Sequence, residues 1–352
     1  MKLFRVALII MASVFAFPAV AASTVFEPGE WKSFVGNFVA DDGRVIDTGN
    51  GNISHSEGQG YGLILSALAD DPIRFEQIWD FTQKELMVRS DGLAAWRWEP
   101  DASPNVTDTN NATDGDMLIA YGLLLAGLGW NEPAYVERAR AMIATIGKSL
   151  VVTEDGLLAI LPGAVGFRPS DTGQERAVLN PSYWVFEVFP AFAAVDQSVD
   201  WNAVQQAGLD LLRRAAITPS GIPSDWVSLA NGTVKPAPGF VPEFGYNGLR
   251  IPLYLMRASL DASFLKPFVR NATPPDLAKV NVTTGKPIEP ITEPGYRLIL
   301  ATMLCTLEGR PIPEELRTLT PSSYYAATLQ LLLLDHLRRN QPSCVTGGEG
   351  RS

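Results

Sequence analysis

A glycine-rich segment around one glutamate is the stretch of this sequence best suited to acid chemistry. It reads Ser-His-Ser-Glu-Gly-Gln-Gly-Tyr-Gly over residues 54–62 and leads into an apolar helical run. One interpretation is a capping box, in which Ser54 and Glu57 satisfy backbone donors at a helix start. That box leaves the three glycines unexplained, because each costs about 1 kcal/mol against alanine inside a helix. A substrate lying close to the backbone, with Glu57 pointing at it, accounts for both features.

A second acidic segment opens the most apolar helix of the chain. Residues 110–116 read Asn-Asn-Ala-Thr-Asp-Gly-Asp, and apolar residues follow almost without interruption. Asp and Thr are common helix starters, which is the purely structural interpretation. Because this helix is apolar nearly all round, at least one of Asp114 and Asp116 should face inward. A buried carboxylate is costly without a partner, so we expect the inward aspartate to have a chemical role.

Aromatic residues occur in the same loops as these acids. Pyranose rings present apolar faces and hydroxyl edges, so loop aromatics beside loop carboxylates suit a sugar-binding surface. Many aromatic side chains simply belong to a core, and the sequence leaves open how many of these do. The candidates are Trp96, Trp98, Tyr183, Trp184, Trp226 and Tyr246.

Composition excludes several classes of site and ligand. The chain has two histidines and two cysteines, too few for the clustered ligands of a zinc site, so no metal is expected. Its formal net charge of -10 would repel nucleic acid and leaves neutral polymers as suitable ligands. Cys305 falls in an apolar helical run and Cys344 in a glycine-rich tail, which favours one buried and one loose thiol over a disulfide.

The first residues have the features of a secretory signal peptide. Two basic residues precede an apolar run from Val6 to Val20, and a small-x-small cleavage pattern ends at Ala21. Residues 1–21 are therefore predicted to be removed on export, which makes the protein periplasmic or secreted. The apolar run is too short for an anchor and no later stretch is long enough to span a bilayer, so no membrane insertion is expected.

Helical periodicity dominates the rest of the chain, and two kinds of helix alternate. Residues 116–126 are apolar nearly all round, as in a helix buried on every side, whereas residues 131–150 have one apolar and one charged stripe. The alternation recurs, with an apolar helix expected from Tyr183 to Ala194 and an amphipathic one from Pro313 to Leu319. It predicts an all-α fold, a closed double layer of inner and outer helices.

Strand patterns and linkers are scarce. Period-two alternation is rare, so we expect at most a small hairpin, around residues 157–165. No repeat and no linker divides the chain. A single domain is therefore predicted over residues 22–340, followed by a flexible tail at 341–352.

The segment from Ala112 to Trp130 resembles the signature of family 8 glycoside hydrolases, departing from it at Gly122. The glycine-rich segment around Glu57 resembles the proton-donor motif of that family. The later landmarks match in order; they are Asn180-Pro-Ser-Tyr, Asp225-Trp226, Tyr246-Asn-Gly-Leu-Arg250 and Ser323-Tyr-Tyr. The resemblance is closest to the compact endoglucanases that accompany bacterial cellulose synthesis. It implies an (α/α)6 barrel, inversion at the anomeric carbon and no cofactor.

The resemblance also implies a reaction and the roles of individual residues. The expected reaction is endo-acting hydrolysis of β-1,4-glucan such as cellulose. Glu57 takes the position of the general acid. Asp114 takes that of the second catalytic carboxylate, which holds the sugar at the cleavage point and helps the attacking water. The expected substrate-binding residues are Trp96, Tyr183, Tyr246 and Arg250.

The general base is the point at which this sequence departs from the family pattern. Many members have an aspartate directly after the tyrosine, where this chain has Asn247, and an amide cannot accept the proton of the attacking water. Glu243 is the leading candidate, because it lies three residues before Tyr246 on the loop that leads into the next helix. Asp114 relaying through Asn247 comes second. The remaining candidates are Asp116 and Asp225.

Two other functions stay open at this point. The first is hydrolysis of another β-glycan, such as chitosan, xylan or mixed-linkage glucan, since a barrel specifies chemistry better than sugar identity. The second is a glucan-binding protein with weak turnover, for which Asn247 is the only argument. Association with a cellulose synthase complex is a further expectation from the resemblance.

Overall fold

The computed structural model describes residues 24–173 and 175–346, and this part of the chain is mainly helical. The predicted signal peptide lies outside the described residues. The helices are α1 (Glu30–Phe38), α2 (Ser56–Leu68), α3 (Pro72–Phe81), α4 (Thr113–Gly129), α5 (Pro133–Leu150), α6 (Pro169–Thr172), α7 (Phe189–Val195), α8 (Trp201–Ala215), α9 (Arg250–Arg257), α10 (Lys266–Arg270), α11 (Pro294–Glu308), α12 (Tyr324–Asn340) and α13 (Pro342–Thr346).

Short strands occur in the loops between these helices. They are β1 (Ser54–His55), β2 (Arg97–Trp98), β3 (Val151–Glu154), β4 (Leu157–Ile160), β5 (Val227–Ala230), β6 (Thr233–Pro236), β7 (Glu243–Phe244), β8 (Leu277–Asn281) and β9 (Lys286–Ile291). β1 pairs with β2, β3 with β4 and β5 with β6, while β8 lies between β7 and β9 in a three-stranded sheet.

The helices form two layers, as the sequence predicts. α4 is buried on nearly every side, whereas α5 buries only the face that carries Ala139, Met142, Ile143 and Ile146. The inner helices are α2, α4, α7, α9, α11 and α12. Around this ring α4 contacts α2 and α7, α11 contacts α9 and α12, and α12 contacts α2, while α9 packs on the turn that leads into α7. The predicted closed double layer of helices is confirmed.

Two of the predicted helices are shorter than expected. The apolar run from Tyr183 to Ala194 is broken into 3-10 turns followed by α7, because Pro190 is tolerated only in the first turn of a helix. The outer helix predicted from Pro313 to Leu319 is a single 3-10 turn over Glu314–Leu316. Both differences shorten elements without changing the order of the layers.

The prediction of at most one small hairpin is wrong, since the described residues contain several. The expected hairpin is β3 with β4, which ends at Ile160 and turns at Asp155-Gly156. β5 and β6 turn at Asn231-Gly232. Both residues of each turn have positive φ, 48° and 80° in the first turn and 53° and 76° in the second. This is the type I′ geometry that Asp-Gly and Asn-Gly favour, so these dipeptides were the signal that the search for alternation missed.

The prediction that the two cysteines stay apart is also wrong. Cys305 of α11 and Cys344 of α13 form a disulfide, with their Cα atoms 6.0 Å apart. The first part of the predicted tail forms α13, which turns back onto the barrel, where the backbone N–H of Ile312 donates to the carbonyl of Cys344 at 2.9 Å. Residues 347–352 of the predicted tail lie outside the described residues.

A buried ion pair joins α1, the first helix of the described residues, to α12 of the inner ring. Arg338 of α12 donates to the two carboxylate oxygens of Glu30 in α1 at 2.6 and 2.9 Å. Glu30 is only 6% exposed and also accepts from the backbone N–H of Leu319 at 3.0 Å. The pair therefore fastens the outer helix α1 against the inner helix α12.

The buried apolar side chains of the described residues form one cluster that extends through both layers. Trp184 belongs to this core at 1% exposure, so it is not one of the sugar-binding aromatics considered above. None of the helices within residues 24–173 and 175–346 is long and apolar enough to cross a membrane.

Glycines allow α2 and α4 to approach closely. A Cβ atom added to Gly60 of α2 would lie 2.6 Å from Cβ of Leu118, and one added to Gly115 of α4 would lie 2.7 Å from the backbone nitrogen of Glu57. The glycine-rich segment is thus explained by helix packing, which corrects the interpretation that a substrate approaches the backbone there. This contact places the start of α2, which carries Glu57, beside the start of α4, which carries Asp114.

The Gly115→Ala substitution is expected to destabilise the protein by about 1–3 kcal/mol, because the added methyl group overpacks the contact between the two helix starts. Gly129→Ala, at the other end of α4, is the matched control, since a Cβ atom there meets nothing within 4 Å. Urea unfolding followed by circular dichroism measures both variants. Equal stability of the two would contradict the packing role of Gly115.

Candidate active site

A cavity of about 400 Å³ opens at the end of the barrel where α2, α4, α9 and α12 begin. Five of the six predicted site residues line this cavity, and the sixth, Arg250, lies directly behind them. The predicted residues that line it are Glu57, Trp96, Asp114, Tyr183 and Tyr246. The cavity also has lining residues that the sequence analysis did not select as site residues, among them Asp47, His55 and Tyr325.

Arg250 links the two predicted catalytic carboxylates. Its Nη1 lies 2.9 Å from Oε2 of Glu57 and 2.6 Å from Oδ2 of Asp114. Arg250 and Asp114 are each 1% exposed, so neither charge is shared with bulk water. A buried pair of this kind stays in place only when its remaining donors and acceptors are also satisfied.

The other side of the guanidinium group is satisfied by neutral side chains. Nη2 of Arg250 donates to Oγ of Ser182 at 2.8 Å and to Oδ1 of Asn247 at 2.9 Å. The ring of Tyr183 lies 5.5 Å from the guanidinium carbon, and burial together with the charge of Asp114 raises the pKa of this phenol well above its usual range. Tyr183 is therefore an uncharged residue in the wall of the cavity.

Glu57 is suited to hold a proton. Burial raises the pKa of its carboxyl group above the ordinary value, and the charge of Asp114 adds to this effect, against the opposing charges of Arg250 and His55. Its Oε2 is held by Arg250, but its buried Oε1 has no hydrogen-bond partner among the described residues. A buried oxygen without a donor favours the protonated form of a carboxyl group, in the same direction as the raised pKa.

Asp114 has the opposite environment. Its Oδ1 accepts from the backbone N–H of Gly115 at 2.8 Å, and its Oδ2 accepts from Arg250. Two donors of this kind suit a charged carboxylate. The site therefore places two carboxyl groups with different hydrogen-bond partners on one shared arginine.

Asn247 lines the cavity but cannot serve as the base. Its side-chain oxygen accepts from Arg250, which leaves the amide N–H group available to a ligand. An N–H group can orient an oxygen atom by donating a hydrogen bond, and it cannot receive a proton.

Glu243, the leading candidate for the base, does not lie on a free loop. It is part of β7, where it pairs with Asn281, and its carbonyl accepts from the backbone N–H of Asp225 at 2.8 Å. Its side chain is not among the described residues that line the cavity. The structure thus gives no contact between Glu243 and the site.

The two remaining candidates hold the backbone around the site. Asp116 accepts from the backbone N–H of Ala94 and from Nδ2 of Asn111, both at 2.8 Å, and burial raises its pKa to about 7. Asp225 accepts from the backbone N–H groups of Gly245 and Gly248 at 2.9 and 3.0 Å. The turn that carries Tyr246 and Asn247 is therefore fixed by Asp225.

The capping-box interpretation of the first motif is wrong. Ser54 donates its hydroxyl to the carbonyl of Val45 at 2.6 Å and lies one residue too early to cap α2. The cap of α2 is His55, whose Nδ1 accepts from the backbone N–H of Gly58 at 2.9 Å. The first turn of α2, which carries Glu57, is thus held by a histidine cap at the cavity.

The predicted aromatic residues of the cavity are fixed by polar contacts. Nε1 of Trp96 donates to Asp108 at 2.8 Å. Tyr246 is 44% exposed, and its carbonyl accepts from the hydroxyl group of Tyr325 at 3.1 Å. Both rings therefore stand at the mouth of the cavity, where a sugar can stack on them.

Two other aromatic candidates are not among the described residues that line the cavity. Trp98 packs edge-on against Phe81, with ring centroids 5.6 Å apart. Trp226 stacks on Phe240 at 4.8 Å and lies 6.4 Å from Tyr183. Trp226 thus supports the wall of the site from behind.

The sequence of the chain matches the profile of Glycosyl hydrolases family 8 over residues 1–338. The chain belongs to this family. An endoglucanase from Cellulomonas uda is 36% identical over 289 residues, covering 80% of this chain and 77% of the relative. A probable endoglucanase from Novacetimonas hansenii is 34% identical over 337 residues, covering 92% and 94% of the two chains.

Solved structures of family 8 agree with the barrel. Endoglucanase Cel10, a family 8 glycosyl hydrolase from Klebsiella pneumoniae, gives a TM-score of 0.78 at 35% identity, and the match covers 87% of this chain and 98% of that chain. The predicted family and the predicted (α/α)6 fold are therefore confirmed. The chain is a glycoside hydrolase, and its curated relatives are endoglucanases.

The polar groups that line the cavity of this family 8 chain include the carboxyl groups of Glu57 and Asp114 and the amide of Asn247. In the part of the chain that the structure describes, no group of three or more His, Cys, Asp and Glu side chains could hold a metal ion.

The Arg250→Met substitution is expected to destabilise the enzyme by about 3–5 kcal/mol, because it leaves a buried carboxylate without a counter-charge. Adding Asp114→Asn to this variant should recover part of the loss, since an amide needs no counter-charge. Arg140→Met, which breaks an exposed pair with Glu137 on α5, is the control and should cost less than about 1 kcal/mol. Urea unfolding measures all three. A double variant no more stable than Arg250→Met would contradict the charge argument.

Proposed function

We propose that this family 8 enzyme is an endo-acting β-1,4-glucanase that cleaves glucan chains with inversion and uses Glu57 as its proton donor. The observation that carries the proposal is the state of Glu57, a carboxyl group in a cavity with a raised pKa and one oxygen without a protein donor. The endoglucanase relatives support a glucan as the substrate. An open cavity with aromatic rings at its mouth suits a polymer that continues past the cleavage point.

The first half of the reaction is the transfer of the Glu57 proton to the glycosidic oxygen. The bond between that oxygen and the anomeric carbon breaks, and the leaving part of the glucan departs with a free hydroxyl group. Positive charge develops on the sugar ring that stays in the cavity. The carboxylate of Asp114 lies close enough to Glu57 to stabilise that charge, because both side chains bond the same nitrogen of Arg250.

The second half is the attack of a water molecule on the anomeric carbon from the opposite face. The new carbon–oxygen bond inverts the configuration, and the proton of the water passes to a base. Asp114 and Glu57 share one nitrogen at 2.6 and 2.9 Å, so they lie closer than the spacing of about 6.5–9.5 Å that leaves room for this water. Asp114 therefore suits the role of holding the sugar, and Asn247 can orient the water.

Glucan is favoured over chitosan by the charges at the cavity. A chitosan site would be expected to present many free carboxylates to the cationic amines of its substrate. Here Asp114 is paired with Arg250 and Asp47 with His55. Xylan and mixed-linkage glucan share the neutral character of cellulose, so a panel of polymers separates these substrates.

Export is part of the proposal as well. The basic start, the apolar run and the cleavage pattern at Ala21 support removal of residues 1–21 and a periplasmic or secreted enzyme. Association with a cellulose synthase complex rests on the resemblance to synthesis-associated endoglucanases. Cell fractionation and co-purification with the synthase test these two statements separately.

The purified enzyme is expected to lower the viscosity of carboxymethylcellulose rapidly and to release α-anomers first, as an inverting endo-acting hydrolase must. Glu57→Gln should reduce the rate by at least about a hundredfold with little change in melting temperature, because the amide keeps the shape of the side chain and cannot donate the proton. Viscometry and proton NMR of fresh hydrolysate provide the measurements.

Several outcomes would contradict parts of this proposal. Release of β-anomers first would exclude inversion. Binding of cello-oligosaccharides without new reducing ends would favour the glucan-binding alternative, and faster hydrolysis of chitosan or xylan would favour another β-glycan. A Glu57→Gln variant that keeps its activity would return this residue to a structural role.

The Glu243→Gln substitution is expected to leave the rate within a few-fold of the parent enzyme, because this side chain does not line the cavity. Asp114→Asn and Asp47→Asn are measured beside it, since these carboxylates do line the cavity. Each variant is assayed with and without azide, a small nucleophile that bypasses a missing base. A large loss in Glu243→Gln that azide restores would instead place the base at Glu243, as the sequence predicted.

A further inference from the structure

His55 occupies an unusual place, between the wall of the cavity and the start of the helix that carries Glu57. Its Nδ1 accepts from the backbone N–H of Gly58 at 2.9 Å, and its Nε2 lies 3.3 Å from Oδ2 of Asp47. The side chain is largely buried, at 15% exposure. Neither the reaction nor the family match assigns a role to this histidine.

These two contacts fix which nitrogen of the ring carries the proton. The backbone N–H of Gly58 can only donate, so Nδ1 must be unprotonated for the cap to exist. The proton of the neutral ring then lies on Nε2, where it can be donated to Asp47. A carboxylate that fixes the tautomer of a histidine in this way also fixes the plane of its ring.

The start of α2 is packed tightly around this cap. A Cβ atom added to Gly58 would lie 3.3 Å from Cε1 of His55 and 3.1 Å from the hydroxyl oxygen of Tyr324. The rings of His55 and Tyr324 meet edge to face, with centroids 5.9 Å apart. Gly58 directly follows Glu57 in the chain, so any movement of this turn displaces the carboxyl group of the donor.

The charged groups that face His55 come from three elements. Asp47 lies on the loop before β1, Glu57 on α2 and Asp114 on α4, while Tyr324 of α12 presents an uncharged ring. Burial lowers the pKa of His55, but the hydrogen bond to Asp47 and the negative charges around the ring, those of the ionised form of Glu57, of Asp47 and of Asp114, raise it by more. The imidazole therefore gains a proton at higher pH than an ordinary histidine does.

We propose that His55, held by Asp47, is the positioning residue of the proton donor: its neutral ring caps α2 at Gly58 and so fixes the carboxyl group of Glu57 toward the substrate. This inference rests on the proposed function of Glu57. A proton on Nδ1 removes the acceptor of the cap and places a positive charge beside Glu57. That charge lowers the pKa of the donor, which then loses its proton more readily.

The sign of the pH effect follows from these two steps. Above the pKa of His55 the cap is intact and Glu57 is positioned. As the pH falls through that pKa, the cap opens and activity is lost by about tenfold per pH unit, as for one titrating proton. A cap that does not titrate should keep activity further into the acid range.

The kinetic test compares two substitutions that differ in the cap alone. Asn is an efficient helix cap and does not titrate, so His55→Asn should keep kcat within a few-fold near neutral pH and lose less of it in acid. His55→Ala has no cap and should lose at least about tenfold in kcat, with a smaller change in KM. His336→Asn is the control, because His336 is the other histidine of the chain and lies near the C-terminal end of α12, far from Glu57 along the barrel.

A direct test uses NMR of the enzyme labelled with 15N-histidine, in which His336→Asn assigns the two rings. Above the pH at which the ring titrates, His55 should show a proton on Nε2 and a bare Nδ1, and Asp47→Asn should lower that pH. A neutral ring with its proton on Nδ1 would overturn the proposal. So would equal kcat values for the Asn and Ala variants.

The two tests also separate this proposal from the proposed function. If the parent enzyme cleaves no β-glycan, the function of Glu57 fails while the NMR result still decides whether His55 caps α2. If the enzyme is active and the acid side of its profile is the same in His55→Asn and the parent, the positioning role fails and the function stands.

Discussion

One buried guanidinium group holds the catalytic end of this barrel together. Arg250 is 1% exposed and contacts Glu57, Asp114, Ser182 and Asn247, which belong to four separate segments of the chain. Without the cation two acidic side chains could not lie this close in a dry interior. Without the acids the cation could not be buried, so each partner is present because of the others.

The same cation leaves its two carboxyl partners in different states. Asp114 receives a second donor from the backbone, whereas one oxygen of Glu57 receives none from the described residues. The two carboxyl groups that share one arginine thus differ by one hydrogen bond from the backbone. Asp116 differs from both. It accepts two hydrogen bonds inside the core and holds the loop at Ala94 in place.

The local patterns predicted the parts of this molecule that depend on neighbours in the sequence. The apolar character of α4 and the striped character of α5 predicted the two layers, and the two acidic motifs located Glu57 and Asp114. Contacts between distant segments were beyond such patterns. The Cys305–Cys344 disulfide required the turn of α13, and the glycines of α2 required the position of α4. The sequence predicts a loop at Glu243, because no pattern in the neighbouring residues indicates the pairing of β7 with β8.

The ion pair of Glu30 with Arg338 joins α1 to α12 across 308 residues of sequence, at the seam where α12 also closes the inner ring against α2. A chain that emerges from its N-terminus can build α2 to α11 progressively, but it cannot close this seam until α12 has followed. α12 also supplies Tyr325 to the wall of the cavity. The cavity is therefore complete only when α12 is present. A chain that ends before α12 contains Glu57 but lacks the part of the cavity wall that α12 supplies.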